Sequence, residues 1–574
     1  MAWKENYKNW LDFSTLDQEM EKDLEELEGK TKELEDAFYK DLAFGTAGMR
    51  GIIGAGTNRM NLYTVRQATE GLAQFIEKRG EEAKERGVVI AYDSRHKSAE
   101  FSLEAAKTLG AHGIKTYLFE SLRATPELSF AVRYLGTSAG IMMTASHNPP
   151  DYNGFKVYGA DGGQFPPTEA DELTSYVQVV NNMLGLPVLT KEELEEKELL
   201  EIIGEQVDSA YLEKLKTINI NQELIDRNSD INIVFSALHG TATMIGTRAL
   251  ENAGFKNVNL VKEQAQADPD FTTVKSPNPE DPAAFELSVE LGKEIGADVL
   301  IATDPDADRL GLATRLDNGD YQVLSGNQIA ALMVDYLLKA YDDENRLSEK
   351  STIIKSIVSS ELPTKIAEKY GVGTVNVLTG FKFIAEKIKE YEKTEEKEFL
   401  FGFEESYGYL VKPFVRDKDA IQALILLAEI AAHYKEQGKT LMNGLEEIFE
   451  EHGYYKEKTI SIKMDGISGA EKIQQLMASL REQKPTSFGG MDVVVEEDYS
   501  VNTMTTKEGK KAKMDLGKAD VLKYLLVDGS WIAARPSGTE PKIKFYMSAL
   551  ADSNEAALEK IEKFEQTIDE LIEE

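Results

Sequence analysis

Short apolar runs alternate with helical segments along most of this chain, and the alternation recurs in three successive blocks. Strand, helix, strand is typical of a mostly parallel sheet covered by helices, so each block predicts an α/β domain. The blocks share this layout but not a visible sequence repeat. The apolar runs lie at residues 88–91, 116–119 and 140–143, at 232–235, 257–261 and 298–302, and at 352–358, 374–378 and 398–401.

The two ends of the chain differ from these blocks. The first forty residues carry apolar side chains at helical spacing and predict an amphipathic leader helix or hairpin. Beyond residue 450, alternating runs and a closing amphipathic helix predict a smaller α+β domain. A length of 574 residues fits several domains. We therefore predict an α/β fold of three similar mixed-sheet domains plus the smaller one, with domains at 1–205, 206–324, 325–450 and 451–574.

Charge and cysteine content exclude several classes of function. There are 65 Lys and Arg against 100 Asp and Glu, a net charge of −35, which argues against nucleic-acid and anionic-membrane partners because both need a positive surface. Cysteine is absent, which excludes disulfides, Cys-ligated zinc, iron–sulfur clusters and thiol nucleophiles. No secretory signal or membrane span is recognisable, so the cytoplasm is the expected location.

Asp304, Asp306 and Asp308 directly follow an apolar run, and they form the strongest local signal in the chain. Carboxylates at i, i+2 and i+4 of a turning backbone face one side and suit a hard divalent cation. A calcium-binding EF-hand is excluded, since Arg309 and Arg315 stand where that loop needs Gly and Glu. A solvated acidic turn is the alternative, but the end of a strand favours a ligand site. Mg²⁺ is the expected ion.

Two more loops carry polar groups in informative patterns. Ser146 and His147 follow the run at 140–143, but we do not interpret them as a hydrolase pair: neighbouring side chains in a strand-like segment diverge, and no Gly-x-Ser-x-Gly motif surrounds them. An ordinary turn is the alternative explanation. Residues 535–541 combine an Arg, two hydroxyl residues and a Gly, a composition typical of an anion-binding nest.

Taken together, these three loops resemble those of the α-D-phosphohexomutase superfamily. Three more segments match its motifs in the family order: residues 44–51 (Phe-Gly-Thr-Ala-Gly-Met-Arg-Gly), 238–240 (Leu-His-Gly) and 404–408 (Glu-Glu-Ser-Tyr-Gly). Residues 379–383 and the chain length most resemble the phosphoglucomutase branch, which also contains phosphopentomutases and glucose-1,6-bisphosphate synthases. The chain departs from the pattern at residues 236–242, at Phe403 and at Ala420, which puts loop geometry and sugar preference in doubt.

The resemblance implies four domains around a central cleft that interconvert glucose 1-phosphate and glucose 6-phosphate. A phosphoserine at Ser146 and a glucose 1,6-bisphosphate intermediate, also the expected activator, would carry the phosphoryl group. One Mg²⁺ per subunit is expected on Ser146, Asp304, Asp306 and Asp308. Lys382, poised by cationic surroundings, is expected to move the proton. The remaining catalytic candidates are Arg50, His147 and Lys156, and the substrate-binding candidates are His239, Arg309, Thr379, Gly380, Glu404, Ser406, Lys418, Arg535, Ser537, Gly538 and Thr539.

Several alternatives stay open at this point. Glu404 and Ser406 would bind the O3 and O4 hydroxyls, which do not separate glucose from mannose, so a phosphomannomutase or a phosphopentomutase is possible. A non-catalytic phosphosugar-binding protein would have lost Ser146 or an aspartate, and neither is lost. A phosphatase with an aspartate nucleophile is disfavoured, because each aspartate has a metal role. The expected partner is a small phosphosugar, and the chain would be a monomer or a homodimer.

Overall fold

The computed structural model describes residues 2–45, 48–463, 467–537 and 542–573. The chain divides into two compact units. The first contains residues 1–325, 381–401 and 406–440, and the second contains residues 326–380, 402–405 and 441–574. Within the described ranges, every helix is too short or too polar to span a membrane.

The helices alternate with strands through most of the chain. The α-helices are α1 Ala2–Leu11, α2 Gln18–Leu27, α3 Thr31–Phe38, α4 Leu62–Glu77, α5 Glu81–Arg86, α6 Ser98–Ala111, α7 Thr125–Leu135, α8 Pro167–Gln178, α9 Lys191–Glu196, α10 Glu205–Leu215, α11 Gln222–Arg227, α12 Ala242–Ala253, α13 Glu286–Ile295, α14 Gly326–Asp343, α15 Leu362–Lys369, α16 Phe381–Thr394, α17 Ala420–Glu436, α18 Leu441–His452, α19 Ile467–Gln483 and α20 Asn554–Glu573. Short 3₁₀ helices lie at Met183–Gly185, Lys216–Ile218, Lys262–Gln264 and Pro282–Phe285.

The strands follow the predicted apolar runs closely and add others. They are β1 Met49–Ile52, β2 Val88–Tyr92, β3 Thr116–Phe119, β4 Ala139–Met143, β5 Tyr152–Gly159, β6 Leu200–Ile203, β7 Ile233–Ser236, β8 Val258–Leu260, β9 Val299–Thr303, β10 Leu310–Arg315, β11 Tyr321–Val323, β12 Ser351–Ser356, β13 Gly373–Val377, β14 Glu398–Glu404, β15 Gly408–Leu410, β16 Tyr454–Lys463, β17 Ser487–Phe488, β18 Met491–Asp498, β19 Thr503–Thr506, β20 Lys511–Lys513, β21 Leu522–Leu526, β22 Trp531–Pro536 and β23 Lys542–Ala551.

The first sheet has the order β1-β5-β4-β2-β3-β6. Strands β4, β2, β3 and β6 are parallel, whereas β5 runs antiparallel to β4 and to β1. Both faces are covered, so β4 is buried along its whole length and reads as an unbroken apolar run. The turn from β4 to β5 carries Ser146 at the carboxyl end of a parallel strand, where α/β sheets bind ligands.

The second sheet has the order β11-β10-β9-β7-β8 and repeats this mixed arrangement. Strands β7, β8 and β9 are parallel, and β10 turns back antiparallel to β9. The tight connection between β9 and β10 contains all three aspartates, so a reversal of the chain places them at the end of a buried strand.

The leader forms three short helices, α1 to α3, where the sequence predicted one helix or a hairpin. Their apolar side chains, including Trp10 and Phe38, form a small core together with Ala55, Tyr63 and Leu184. Trp10 packs edge-on against Tyr63 of α4, with ring centroids 5.4 Å apart. The Tyr63 hydroxyl accepts a hydrogen bond from the backbone N–H of Asp17, whose side chain caps α2. The leader is therefore anchored to the first domain by aromatic packing and a helix cap.

The second unit contains β12 and β13, which pair in parallel, and a mostly antiparallel C-terminal sheet. That sheet has the order β16-β23-β22-β21-β18-β19-β20, and α19 and α20 cover its core. The predicted α/β fold class, with three α/β domains and a C-terminal domain, is confirmed. The domain boundaries stay a prediction.

A histidine between two glutamates of α4 predicts a pH-dependent stability. Nε2 of His112 lies 2.8 Å from Glu70 and Nδ1 lies 3.0 Å from Glu77. The hydrogen bond to Glu70, reinforced by Glu77 and opposed by burial, raises the pKa of His112. The same bond lowers the pKa of Glu70. The stabilisation is therefore complete below the unfolded-state pKa of His, about 6.5, and is lost as the pH rises through the raised value.

We expect His112→Gln to lower the melting temperature more at pH 6 than at pH 9. The His112 side chain is 17% exposed and its partners Glu70 and Glu77 are 10% and 38% exposed, so solvent still screens the pairs in part and the difference should correspond to about 0.5 kcal/mol. Differential scanning calorimetry at both pH values measures it. An equal loss at both pH values would contradict the assignment.

Candidate active site

Ser146 lies in a tight turn just beyond β4. Its backbone adopts a left-handed conformation (φ 53°), and its N–H donates to the Thr144 hydroxyl at 2.8 Å. The Ser146 hydroxyl donates to Oδ2 of Asp304 at 2.6 Å and lies 3.2 Å from Nδ1 of His147. The expectation that the Ser146 and His147 side chains diverge is therefore wrong, because the segment turns and is not strand-like.

The aspartate turn is folded around its own first carboxylate. Oδ1 of Asp304 accepts hydrogen bonds from the backbone N–H groups of Asp308 and Arg309, at 3.1 and 3.0 Å. The three carboxylates are buried, and one oxygen of each lies within 4.8 Å of the others. The turn thus brings Asp304, Asp306 and Asp308 together, as their spacing predicts, and Ser146 lies beside them.

This cluster fits a divalent cation. Oδ1 of Asp306 and Oδ1 of Asp308 are buried and make no hydrogen bond to any described residue. Burial and the two neighbouring carboxylates raise the pKa of Asp304 well above its usual range. Buried anionic oxygens are costly without a cation, and oxygen-only ligands suit Mg²⁺. The donor set therefore matches a hard metal ion.

Two buried lysines contribute part of the compensating charge. Nζ of Lys156 lies 2.7 Å from Asp306 and 3.6 Å from Asp308, and Nζ of Lys418 lies 3.0 Å from Asp308. Burial raises the pKa of Asp306, but the charge of Lys156 and the hydrogen bonds with Asp304, Lys156 and Thr125 together lower this pKa below its usual range. The sequence analysis assigned Lys156 to catalysis and Lys418 to substrate binding. Both lysines contact carboxylates of the aspartate cluster directly.

The side chain of Lys418 lies against Gly408, where there is no room for a Cβ. A Cβ there would lie 2.1 Å from Cδ of Lys418. The ammonium also contacts Asp417 at 3.2 Å, and that carboxylate accepts from Tyr158 at 2.9 Å and from Gln164 at 3.1 Å. The motif glycine therefore makes room for the lysine.

Arginines surround the Ser146 turn. Arg50 on β1 donates to the Asn148 side chain at 2.7 Å, and Arg309 donates to Glu280 at 2.6 Å. Burial, together with Arg309 and Arg50, holds the pKa of His147 well below its usual range. The imidazole beside Ser146 is therefore neutral at neutral pH.

The loop after β7 supports the aspartate turn. Its backbone is left-handed at Leu238 (φ 44°) and His239 (φ 65°), and the N–H of Thr241 donates to the Pro305 carbonyl at 2.8 Å. The ring nitrogens of His239 lie 3.2 Å from the Gln266 carbonyl and 2.8 Å from the Thr273 hydroxyl. His239, predicted to bind substrate, makes contacts within its own domain in this structure.

Lys382 lies at the start of α16 and is half-buried. Burial lowers its pKa, while Asp171 and Glu386 oppose the shift. The expected cationic surroundings are wrong, because the charged groups acting on Lys382 are acidic. Ser406 belongs to the same unit and follows β14 in a half-buried turn.

The remaining residues that the sequence predicts to bind substrate belong to the second unit or lie outside the residues that the structure describes. The N–H of Gly380, next to Thr379, donates to the buried Glu404 carboxylate at 2.7 Å. Arg535 donates to the Tyr546 hydroxyl at 3.5 Å, and the N–H of Ser537 donates to the Lys542 carbonyl at 2.8 Å. Gly538 and Thr539 lie outside the described residues.

Sequence reasoning missed two groups that support the site. Thr125, at the start of α7, donates to Asp306 through its N–H (to the carbonyl, 2.8 Å) and its hydroxyl (to the carboxylate, 2.9 Å). Asp93 and Arg95 follow β2 and underlie the Ser146 turn. Asp93 and Arg95 carried a signal that was available, because they are polar residues just past a strand of the parallel sheet. Thr125 lies at the start of α7 and carried no such signal.

Four family matches cover most of the chain. Residues 41–182, 209–318 and 325–452 match alpha/beta/alpha domains I, II and III of phosphoglucomutase/phosphomannomutase, and residues 492–565 match the C-terminal domain of that family. The chain belongs to the phosphoglucomutase/phosphomannomutase family, and the resemblance to α-D-phosphohexomutases is confirmed.

Individual proteins of known name are similar to this chain over almost its full length. The chain is 40% identical over 530 residues to a phosphoglucomutase of Staphylococcus haemolyticus, covering 92% of this chain and 94% of the relative. It is 40% identical over 559 residues to that of Staphylococcus epidermidis, covering 96% and 98%. Its fold resembles that of pp63/parafusin, a phosphoglucomutase from Paramecium, with a TM-score of 0.69, 17% identity and coverage of 93% and 95%.

The close approach of Gly240 to the aspartate turn gives a test of this geometry. A Cβ at Gly240 would lie 2.4 Å from Cα and O of Pro305. Gly240→Ala must therefore displace the turn, and overpacking of about 1–3 kcal/mol should weaken divalent-cation binding roughly tenfold. Calorimetric titration with Mn²⁺ measures this.

Gly373→Ala is the matched control, because a Cβ there would meet the Thr352 hydroxyl at 3.5 Å and the Ser351 carbonyl oxygen at 3.7 Å, which are ordinary van der Waals distances. Equal Mn²⁺ affinity in Gly240→Ala and the control would show that the Pro305 contact does not hold the aspartate turn.

Proposed function

We propose that this chain is a phosphoglucomutase that interconverts glucose 1-phosphate and glucose 6-phosphate. The observation that carries the proposal is the Ser146 hydroxyl, 2.6 Å from a buried cluster of three carboxylates. A phosphoryl-transfer site needs such a nucleophile beside a cation site. The names of relatives that match almost the full chain at 40% identity support the glucose phosphates as substrates.

In this proposal Ser146 carries a phosphoryl group between turnovers. The free hydroxyl of the sugar monophosphate attacks that phosphorus, the P–O bond to Ser146 breaks, and the sugar becomes the 1,6-bisphosphate. The bisphosphate turns round, and the Ser146 oxygen attacks the phosphorus at the other position. The leaving sugar oxygen takes up a proton, so the enzyme returns to its phosphorylated form and the sugar has exchanged its phosphate position.

Asp304, Asp306, Asp308 and Ser146 would hold one Mg²⁺. When bound, Mg²⁺ neutralises charge on the transferring phosphoryl group. Three carboxylates, a divalent ion and a phosphoserine leave a charge of roughly −3. Lys156 and Lys418 supply two positive charges in direct contact with the carboxylates. Arg50 and Arg309 are the further cations that we assign to the phosphoryl oxygens.

Proton transfer at the sugar hydroxyl is assigned to Lys382. Its pKa, lowered by burial, brings the amine closer to the range in which it can accept a proton. His147 is assigned to the phosphoryl group or to the sugar hydroxyl, since its ring lies 3.2 Å from the Ser146 oxygen. Lys382 lies on helix α16, and a helix positions a side chain more accurately than a loop does.

The remaining roles stay predictions from the sequence. Glu404 and Ser406 are assigned to the sugar hydroxyls, and His239, Thr379 and Gly380 to substrate binding. Arg535, Ser537, Gly538 and Thr539 are assigned to the second phosphate. Glucose 1,6-bisphosphate is the proposed activator, and the monomer or homodimer state and the cytoplasmic location also stay predictions.

Replacement of the nucleophile tests the proposal directly. Ser146→Ala should lose essentially all turnover of glucose 1-phosphate in an assay coupled to glucose-6-phosphate dehydrogenase. Wild-type protein should also gain the mass of one phosphoryl group, mapped to Ser146, after exposure to glucose 1,6-bisphosphate.

Ser175→Ala, an exposed serine of the same domain, is the control and should retain wild-type activity. Near-normal turnover in Ser146→Ala would refute the mechanism. A higher kcat/KM of the wild-type protein for mannose 1-phosphate or ribose 1-phosphate would refute the glucose assignment and leave the mutase chemistry intact.

Removal of one carboxylate tests the metal site. Asp308→Asn should weaken Mn²⁺ binding by about tenfold or more, measured by electron paramagnetic resonance of free Mn²⁺, and should lower turnover at limiting Mg²⁺. Asp317→Asn, in an exposed turn of the same domain, is the control. Unchanged Mn²⁺ affinity in Asp308→Asn would place the ion elsewhere.

A further inference from the structure

A single guanidinium lies beneath the Ser146 turn and collects its carbonyl groups. Nη2 of Arg95 donates to the Ser146 carbonyl at 2.5 Å and also to the Asn148 carbonyl. Nη1 of Arg95 donates to the Pro149 carbonyl at 2.7 Å and to the Tyr152 carbonyl at 3.0 Å. Four carbonyls within seven residues thus converge on one side chain, and such charge-assisted bonds are among the stronger ones in proteins.

Contacts with Asp93 and Phe271 fix the position of the Arg95 side chain. Its Nε lies 3.4 Å from Oδ2 of Asp93, and both side chains are fully buried. Oδ1 of Asp93 accepts from the Arg95 N–H at 3.0 Å and from the Ser98 hydroxyl at 2.8 Å. The centroid of the Phe271 ring, from the second domain, lies 5.0 Å from the guanidinium carbon. The arginine therefore has one defined position.

This contact has a consequence for the reacting serine. A left-handed backbone is unfavourable for a residue with a Cβ, so the φ of 53° at Ser146 needs support from its surroundings. Because a peptide unit is planar and trans, holding the Ser146 carbonyl against Arg95 turns the N–H of His147 to the opposite side. The guanidinium thus sets the orientation of the peptide unit that follows the Ser146 side chain. The peptide unit before it is held by the Thr144 hydroxyl, which accepts from the Ser146 N–H.

We infer that Arg95 is a positioning residue for phosphoryl transfer. It acts through the backbone of residues 146–152, keeps the Ser146 oxygen aligned with the aspartate turn, and does not touch the sugar. Lysine cannot replace it, because one ammonium lacks the planar fork that reaches four carbonyls. Phe271 completes the arrangement by covering the guanidinium from the domain that carries the aspartates. The inference rests on the proposed role of Ser146.

The test separates alignment from binding and from folding. Dephosphorylated Arg95→Lys is mixed with saturating glucose 1,6-bisphosphate, and phosphorylation of Ser146 is followed by rapid quench and mass spectrometry. We expect the rate to fall about 10- to 100-fold, since small misplacements of reacting groups cost this much. The Kd for glucose 1-phosphate, measured by calorimetry, should stay within about threefold, because uniform binding is not altered. Arg86→Lys, an exposed arginine of the same domain, should match wild type in both.

A rate within about twofold of wild type in folded Arg95→Lys would overturn the inference, and so would an equal loss of rate and of affinity. Where Arg95→Lys does not fold, Phe271→Leu decides: a slower transfer at unchanged Kd supports the inference, and an unchanged rate overturns it. Wild-type protein that is not phosphorylated at all would instead refute the proposed function, so the two failures are distinguishable.

Discussion

The architecture around the site depends on one constraint, which is the burial of three carboxylates in a single turn between two strands. Buried anions are tolerated only when cations and hydrogen-bond donors surround them. The first unit meets this demand with Lys156 from the first sheet, Lys418 from the segment before α17, and Thr125 at the start of α7. The three carboxylates thus bind side chains from each of these segments and help to hold the segments in place.

Much of the fold could be predicted from the sequence, because the strands and helices depend on the pattern of apolar residues within short segments. The buried run at residues 139–143 is apolar at every position, and only a strand covered on both faces has that requirement. The antiparallel strands β1 and β10 were missed, because each pairs with a partner that is remote in sequence or hidden by a tight turn. Leader helices α1 to α3 were under-counted for a different reason: the periodicity indicates helix but not where each helix begins, which depends on caps such as Asp17.

The candidate site was predictable in its residues and less so in its contacts. The three aspartates could be named from type and spacing, and Ser146 from its resemblance to a family motif; the structure brings the four residues together. Backbone conformation was not available from the sequence, so the proximity of His147 to the Ser146 oxygen was missed. Of the two acidic groups that act on Lys382, Asp171 comes from a distant segment and could not be read from the local sequence. Glu386 lies one turn further along the same helix, so its position beside Lys382 could have been predicted.

The first unit is discontinuous in sequence, and this affects how the protein can be made. A nascent chain of 325 residues already contains Ser146 and the aspartate turn but lacks Lys418, which belongs to the later segment 406–440 of that unit. Domains tend to fold as they leave the ribosome. The phosphoryl-transfer centre of this chain therefore reaches its full charge balance late in translation, after a large part of the other unit has been synthesised.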